Sequence, residues 1–230
     1  MVRFDLNKDL DIQVLPEFLN VSGGGIDFSQ AIYKHHPDLK SVNKQDVVLL
    51  KEYIESFYKN NFEELQGKVK LFQTKWNNIE NIFIKECNNL FNNELIFDNE
   101  YKGYLSILPC NPRFLDKNMF QIFYLEESSL GVTSHELLHF MFYSYTSNKL
   151  TNITNGLNPN EGIWWDVSEI FNNSVLSSTG FVNILGSNSE LPYPDHLKHL
   201  QKAKELFNNR RDTDTFIKDL FKLLEEDKKF

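Results

Sequence analysis

His135 and His139 are four positions apart, and Glu136 follows the first of them. On an α-helix, residues at that spacing lie on one face, about one turn apart. Two imidazoles so placed can share one tetrahedral zinc ion. Glu136 can take a proton from water on that zinc and pass it to a leaving amine. The metal lowers the pKa of its water toward about 7, so a nucleophile is available at neutral pH. The pattern His135-Glu136-Leu137-Leu138-His139 fixes only three positions and arises by chance in many chains. Its setting adds weight: Leu137, Leu138, Phe140 and Met141 should bury much of the helix. A buried histidine pair beside an acid needs partners, and zinc is one.

A hydrolytic zinc takes a third protein ligand and keeps one position open. The next helix offers Asp166 and Glu169. Glu169 is flanked by Ile170 and Phe171, and Trp165 precedes it by four positions, which puts it near the apolar face. At this point the sequence resembles the gluzincin branch of zinc metallopeptidases, in which a Glu on a following helix completes an HExxH site. The resembling residues are His135-Glu136-Leu137-Leu138-His139 and Glu169 within Trp165-Asp166-Val167-Ser168-Glu169-Ile170-Phe171-Asn172-Asn173. They fall within residues 104–173, less than a third of the chain. The resemblance implies His135, His139 and Glu169 as zinc ligands, Glu136 as general base, and a peptide or protein substrate.

In many gluzincins an Asp four residues after the ligand Glu holds a ligand histidine. Here that slot is Asn173, whose amide accepts more weakly than a carboxylate. The metzincin extension is absent, because Phe140-Met141-Phe142 follows His139. Asp166 remains the alternative ligand, although it lacks the Gly-Thr and Tyr-Gly flanks of the aspartate-ligand variant. Glu161 reads as a helix-start residue. A donor aimed at a developing oxyanion is expected downstream of Glu169, where Tyr193, His196 and His199 are the candidates. His35 and His36 precede Pro37 in a polar stretch and are expected to be exposed.

The elements that must position these groups follow from periodicity. Between Asn43 and Phe91, apolar residues recur at helical spacing: Val47, Leu50, Tyr53, Ile54 and Phe57, then Leu65, Val69, Phe72, Trp76, Ile79 and Phe83. Gly67 is the expected break between two helices. Short strands are expected at Glu94–Asp98, Tyr104–Leu108 and Met119–Leu125, just before the motif. Ser128 and Ser129 can cap the motif helix, which should end near Ser147-Asn148. Asn158-Pro159-Asn160-Glu161 reads as the start of the next helix. Two more helices are expected near Asp195–Phe207 and Asp212–Glu226. Ser22-Gly23-Gly24-Gly25 reads as a loop, without the lysine of a phosphate loop.

The fold class is therefore α+β, mainly helical, with a small mixed sheet packed beside the HExxH helix in zincin-like fashion. The expectation is one domain over 1–230, with a helical region at about 43–91 and a metal-site core at about 94–210. Its 230 residues are 41% hydrophobic and 24% charged, so the chain can bury a core without staples. The formal net charge of −8 disfavours nucleic acid as a partner. Cys87 and Cys110 read as reduced thiols. The start, MVRFDLNKDLDIQVLPEF, shows no secretory signal, and no apolar run could span a membrane. The expectation is a cytoplasmic zinc hydrolase, a peptidase by resemblance. The alternatives are an inactive zincin-like metal-binding module that interacts or regulates, and a helical protein with an accidental motif.

Overall fold

A computed structural model describes residues 1–95 and 100–227. The chain divides into two compact units, Met1–Asn78 with Asn99–Ser129, and Ile79–Asp98 with Leu130–Phe230. The described structure is mainly helical, with a small mixed sheet, as expected for α+β.

The first unit begins with β1 (Val2–Leu6) and α1 (Lys8–Phe18). A two-stranded hairpin follows, β2 (Ser22–Gly23) and β3 (Ile26–Asp27). Its turn residues Gly24 and Gly25 have φ of 59° and 84°, so this glycine-rich stretch serves chain reversal. Next come α2 (Phe28–His35), α3 (Val47–Asn60) and the start of α4 (Phe62–Leu90). The last strands are β4 (Tyr101–Ser106), β5 (Arg113–Phe114) and β6 (Met119–Phe123). The four-stranded sheet has the order β1-β4-β6-β5, with β1, β4 and β6 parallel and β5 antiparallel to β6. Gly103 aligns with Phe4 on one side and Phe120 on the other. A Cβ there would come within 2.5 Å of the Phe4 ring, so only glycine lets these rings meet across β4.

The expected break at Gly67 lies elsewhere: α4 runs through it, and the chain bends at Asn61, whose N–H closes α3 on the Phe57 carbonyl. A single glycine costs a helix only about 1 kcal/mol, and α4 is anchored along one face by buried Leu65, Phe72, Trp76 and Phe83. Leu50, Ile54, Leu65, Phe72, Trp76 and Phe83 of the expected stripes are buried, whereas Val47, at the start of α3, is 56% exposed. The expected strand at Glu94–Asp98 falls mostly outside the described residues, and Glu94 and Leu95 carry no strand.

His36 corrects an expectation. It is buried, and its Nε2–H donates to the Ile107 carbonyl at 2.7 Å while Nδ1 accepts from the Tyr53 hydroxyl at 2.8 Å. Burial pushes its pKa down, which suits this neutral tautomer. Asp11, on α1, is fully buried and accepts from Tyr58, Ser106, the Ile107 N–H and Gln121. It thereby pins α1 to α3, to the end of β4 and to β6.

The second unit takes the end of α4 and the helices α5 (Ser129–Lys149), α6 (Thr151–Thr154), α7 (Gly162–Leu176), α8 (Thr179–Leu185), α9 (Leu197–Asn208) and α10 (Thr213–Asp227). Ring contacts run from Phe91 to Phe171, from Phe171 to Phe142 and Phe216, and from Phe216 to Phe207, with centroids 4.9 to 5.8 Å apart. Such contacts anchor α7 among its neighbours. The segment Asn158-Pro159-Asn160-Glu161 is a turn rather than the first turn of α7. The Asn158 side chain accepts from the Asn160 N–H and donates to Glu161, and the helix starts at Gly162. Asn favours such a local turn as readily as a cap.

Cys87 and Cys110 are free and buried, and burial pushes both thiols well above their ordinary range. Among the described residues no helix is long and apolar enough to cross a membrane.

Candidate metal centre

Helix α5 is buried on every side from Val132 to Tyr143. An apolar helix can accept that, but Thr133, Ser134, His135, Glu136 and His139 lie in the same stretch. Burying such groups is costly unless they are matched. On α7 every residue from Val167 to Leu176 is buried, Glu169 among them at 1% exposure.

His135, His139 and Glu169 converge. Nε2 of His135 lies 3.0 Å from Nε2 of His139 and 3.1 Å from Glu169 Oε2. Nε2 of His139 lies 3.2 Å from Glu169 Oε1. Donors held 2.0–2.1 Å from a tetrahedral ion stand roughly 3.3 Å from one another. The spacing and the N,N,O chemistry therefore fit a divalent cation. Among the described residues this is the one group of three or more His, Cys, Asp or Glu side chains able to hold a metal ion.

Burial alone would raise the Glu169 carboxyl. The His139 and His135 imidazoles outweigh that and hold it well below the usual carboxylate range. The carboxylate is thus ionised at neutral pH, as a ligand must be. Glu136 follows His135 on the same turn of α5 and is 5% exposed.

Asp166, the alternative ligand, is not part of this group. Its Oδ1 accepts from Nε2 of His196 at 3.0 Å. His196 is buried and packs against the rings of Trp165 at 5.1 Å and Tyr193 at 5.8 Å. Trp165 and Tyr193 also touch, at 5.2 Å. Asp166 precedes Glu169 by three positions, about 4.5 Å along the helix. The structure thus brings Tyr193 and His196 together beside the first turns of α7. His199 pairs with Asp227 at 3.5 Å, and Glu161 is exposed.

Asn173 does not hold a ligand histidine as the resemblance implied. Its Nδ2 donates to the Glu169 carbonyl at 2.8 Å and its Oδ1 accepts from the Leu191 N–H at 2.6 Å, which ties the chain before Tyr193 to α7. Two contacts lie beyond what the sequence suggested. Asn172 donates from Nδ2 to the carbonyl of His135 at 2.9 Å. Tyr143 lies parallel to the His139 ring at 6.1 Å, and its hydroxyl meets the Pro159 carbonyl at 2.6 Å and Ser168 Oγ at 2.7 Å. The four-residue spacing of His139 and Tyr143 is a visible signal for the second contact. Nothing local marks the first.

No protein-family model, no curated protein and no solved structure matches the chain.

Proposed function

We propose that this chain is a zinc-dependent hydrolase that cleaves peptide bonds. The observation that carries the reading is the buried convergence of His135 Nε2, His139 Nε2 and Glu169 within 4.8 Å, with Glu136 on the same helical turn as His135. Two imidazoles and one carboxylate are the donor set of catalytic zinc, which keeps a further position open. The HExxH-plus-Glu resemblance supports zinc over other divalent ions, and a peptide over other substrates.

When bound, the metal supplies Lewis acidity that acidifies water and polarises a carbonyl. His135, His139 and Glu169 would hold it. Glu136 takes the proton from the attacking water and returns it to the leaving amine. Tyr193, packed against Trp165 and against His196, which Asp166 holds, donates from its hydroxyl toward the oxygen that gains charge.

The test is metal analysis of the purified protein followed by incubation with a peptide library. Close to one zinc per chain and cleavage abolished by a chelator and restored by zinc are expected. Less than about 0.2 zinc per chain, unrestored by added zinc, would overturn the metal reading. Stoichiometric zinc without cleavage of any peptide would leave a metal-binding module and remove the hydrolase.

A further inference from the structure

Asn172 and the two histidines form a chain of contacts. Asn172 lies three residues after Glu169 on α7, on the same side of the helix and one turn along. Its Nδ2 reaches the backbone carbonyl of His135 on α5. In an α-helix that same carbonyl accepts the N–H of the residue four positions on, which is His139. One peptide oxygen therefore joins the turn that carries both imidazoles to the helix that carries the carboxylate.

The other end of the amide makes the position hard to explain by stability. Asn172 is fully buried, and its Oδ1 has no hydrogen-bond partner among the described residues. A buried carbonyl left unmatched is unfavourable. A small apolar side chain would avoid that, and it would also give up the bond to His135.

We infer that Asn172 is a positioning residue of the metal centre, setting the separation of α5 and α7 so that His135, His139 and Glu169 meet at one point before any ion arrives. The inference rests on the metal reading above. The role needs a donor, so it is specific to the amide. An ionised Asp has the same shape but can only accept, and it would turn a carboxylate oxygen toward the His135 carbonyl where the amide presents an N–H. Groups that orient metal ligands affect affinity strongly although they never touch the ion.

The experiment compares the parent protein with Asn172→Ala, Asn172→Asp and Val175→Ala. Val175 is fully buried on the same helix and serves as the control for a general loss of packing. Each protein is stripped with chelator, checked for folding by circular dichroism, and titrated with Zn2+ and with Co2+, whose visible spectrum reports ligand geometry. Asn172→Ala and Asn172→Asp should weaken Zn2+ binding roughly tenfold to hundredfold and alter the Co2+ spectrum, while Val175→Ala stays within about twofold of the parent. Should Asn172→Ala fail to fold, Asn172→Leu, close to the amide in volume and without a donor, takes its place in the comparison. Parent-like affinity and spectrum in the Asn172 variants would overturn the inference and leave the metal centre intact. An equal loss in Val175→Ala would overturn it as well. No binding by the parent would instead remove the metal centre itself, and the inference with it.

Discussion

His196 Nε2 donates to Asp166 Oδ1 at 3.0 Å, and Asp166 stands one helical turn before the candidate ligand Glu169. The pair positions Tyr193, the proposed transition-state donor, through the ring contact of His196 with Tyr193. The imidazole is oriented by a carboxylate on the ligand helix and braced by Trp165 and Tyr193. His196→Ala should leave zinc content unchanged and lower kcat/KM by roughly 10- to 100-fold through kcat. Asp166→Asn, which keeps an acceptor for the imidazole, should cost less. A His196→Ala variant that loses its zinc would show instead that His196 supports the fold or the ligands.

Glu169 and Asp166 separate cleanly in a metal-binding comparison. Glu169 lies within reach of both imidazoles, whereas Asp166 is engaged by His196. Glu169→Ala should lose the ion at concentrations that saturate the parent, and Asp166→Ala should keep it. Metal content by mass spectrometry reads this directly. The reverse result would exchange the two assignments.

Glu136→Gln should retain zinc and lose activity, by roughly 10²- to 10⁴-fold in kcat, because the amide matches the carboxylate in shape and cannot accept the proton. Zinc retention makes the result specific to proton transfer. Full activity in this variant would remove Glu136 as the general base and send the search to Asp166–His196.

The sequence made most helices and the candidate metal-binding face visible through local spacing. His135 and His139 are joined by a single helical turn, and the apolar residues around them have the right period. Glu169 needed more, because its distance from the histidines is set by α7 docking on α5 through Phe142, Phe171 and Tyr143. Its apolar flanks and a resemblance supplied what spacing could not. Asn172 was illegible for the same reason: the carbonyl it binds lies 37 residues earlier in the chain. Asn158 misled because its side chain serves a cap or a turn equally well. His36 looked exposed beside Pro37, and what buries it is a contact with Ile107, 71 residues away. Residues 1–40 gave little pattern because β1 is a short strand whose partner, β4, begins at Tyr101.

Asp11 shows how much stability can hang on one such distant contact. Four donors converge on a carboxylate with no exposed surface: the Tyr58 hydroxyl at 2.8 Å, Ser106 Oγ at 2.6 Å, the Ile107 N–H at 3.1 Å and Gln121 Nε2 at 2.6 Å. Asp11→Ala strands these buried donors and should destabilise the protein by about 3 kcal/mol or more in urea denaturation. Its pH dependence has a definite sign. Burial raises the Asp11 carboxyl above its ordinary 3.8, outweighing the hydrogen bonds that lower it. Folding therefore favours the protonated form, and the stability this contributes is full below pH 3.8 and is lost as pH rises through the raised value. The gap between parent and Asp11→Ala should accordingly be wider at about pH 5 than at about pH 8. A gap that widened toward the higher pH would mean that the four donors hold the ionised carboxylate strongly enough to overcome its burial, and that folding favours the charged form instead.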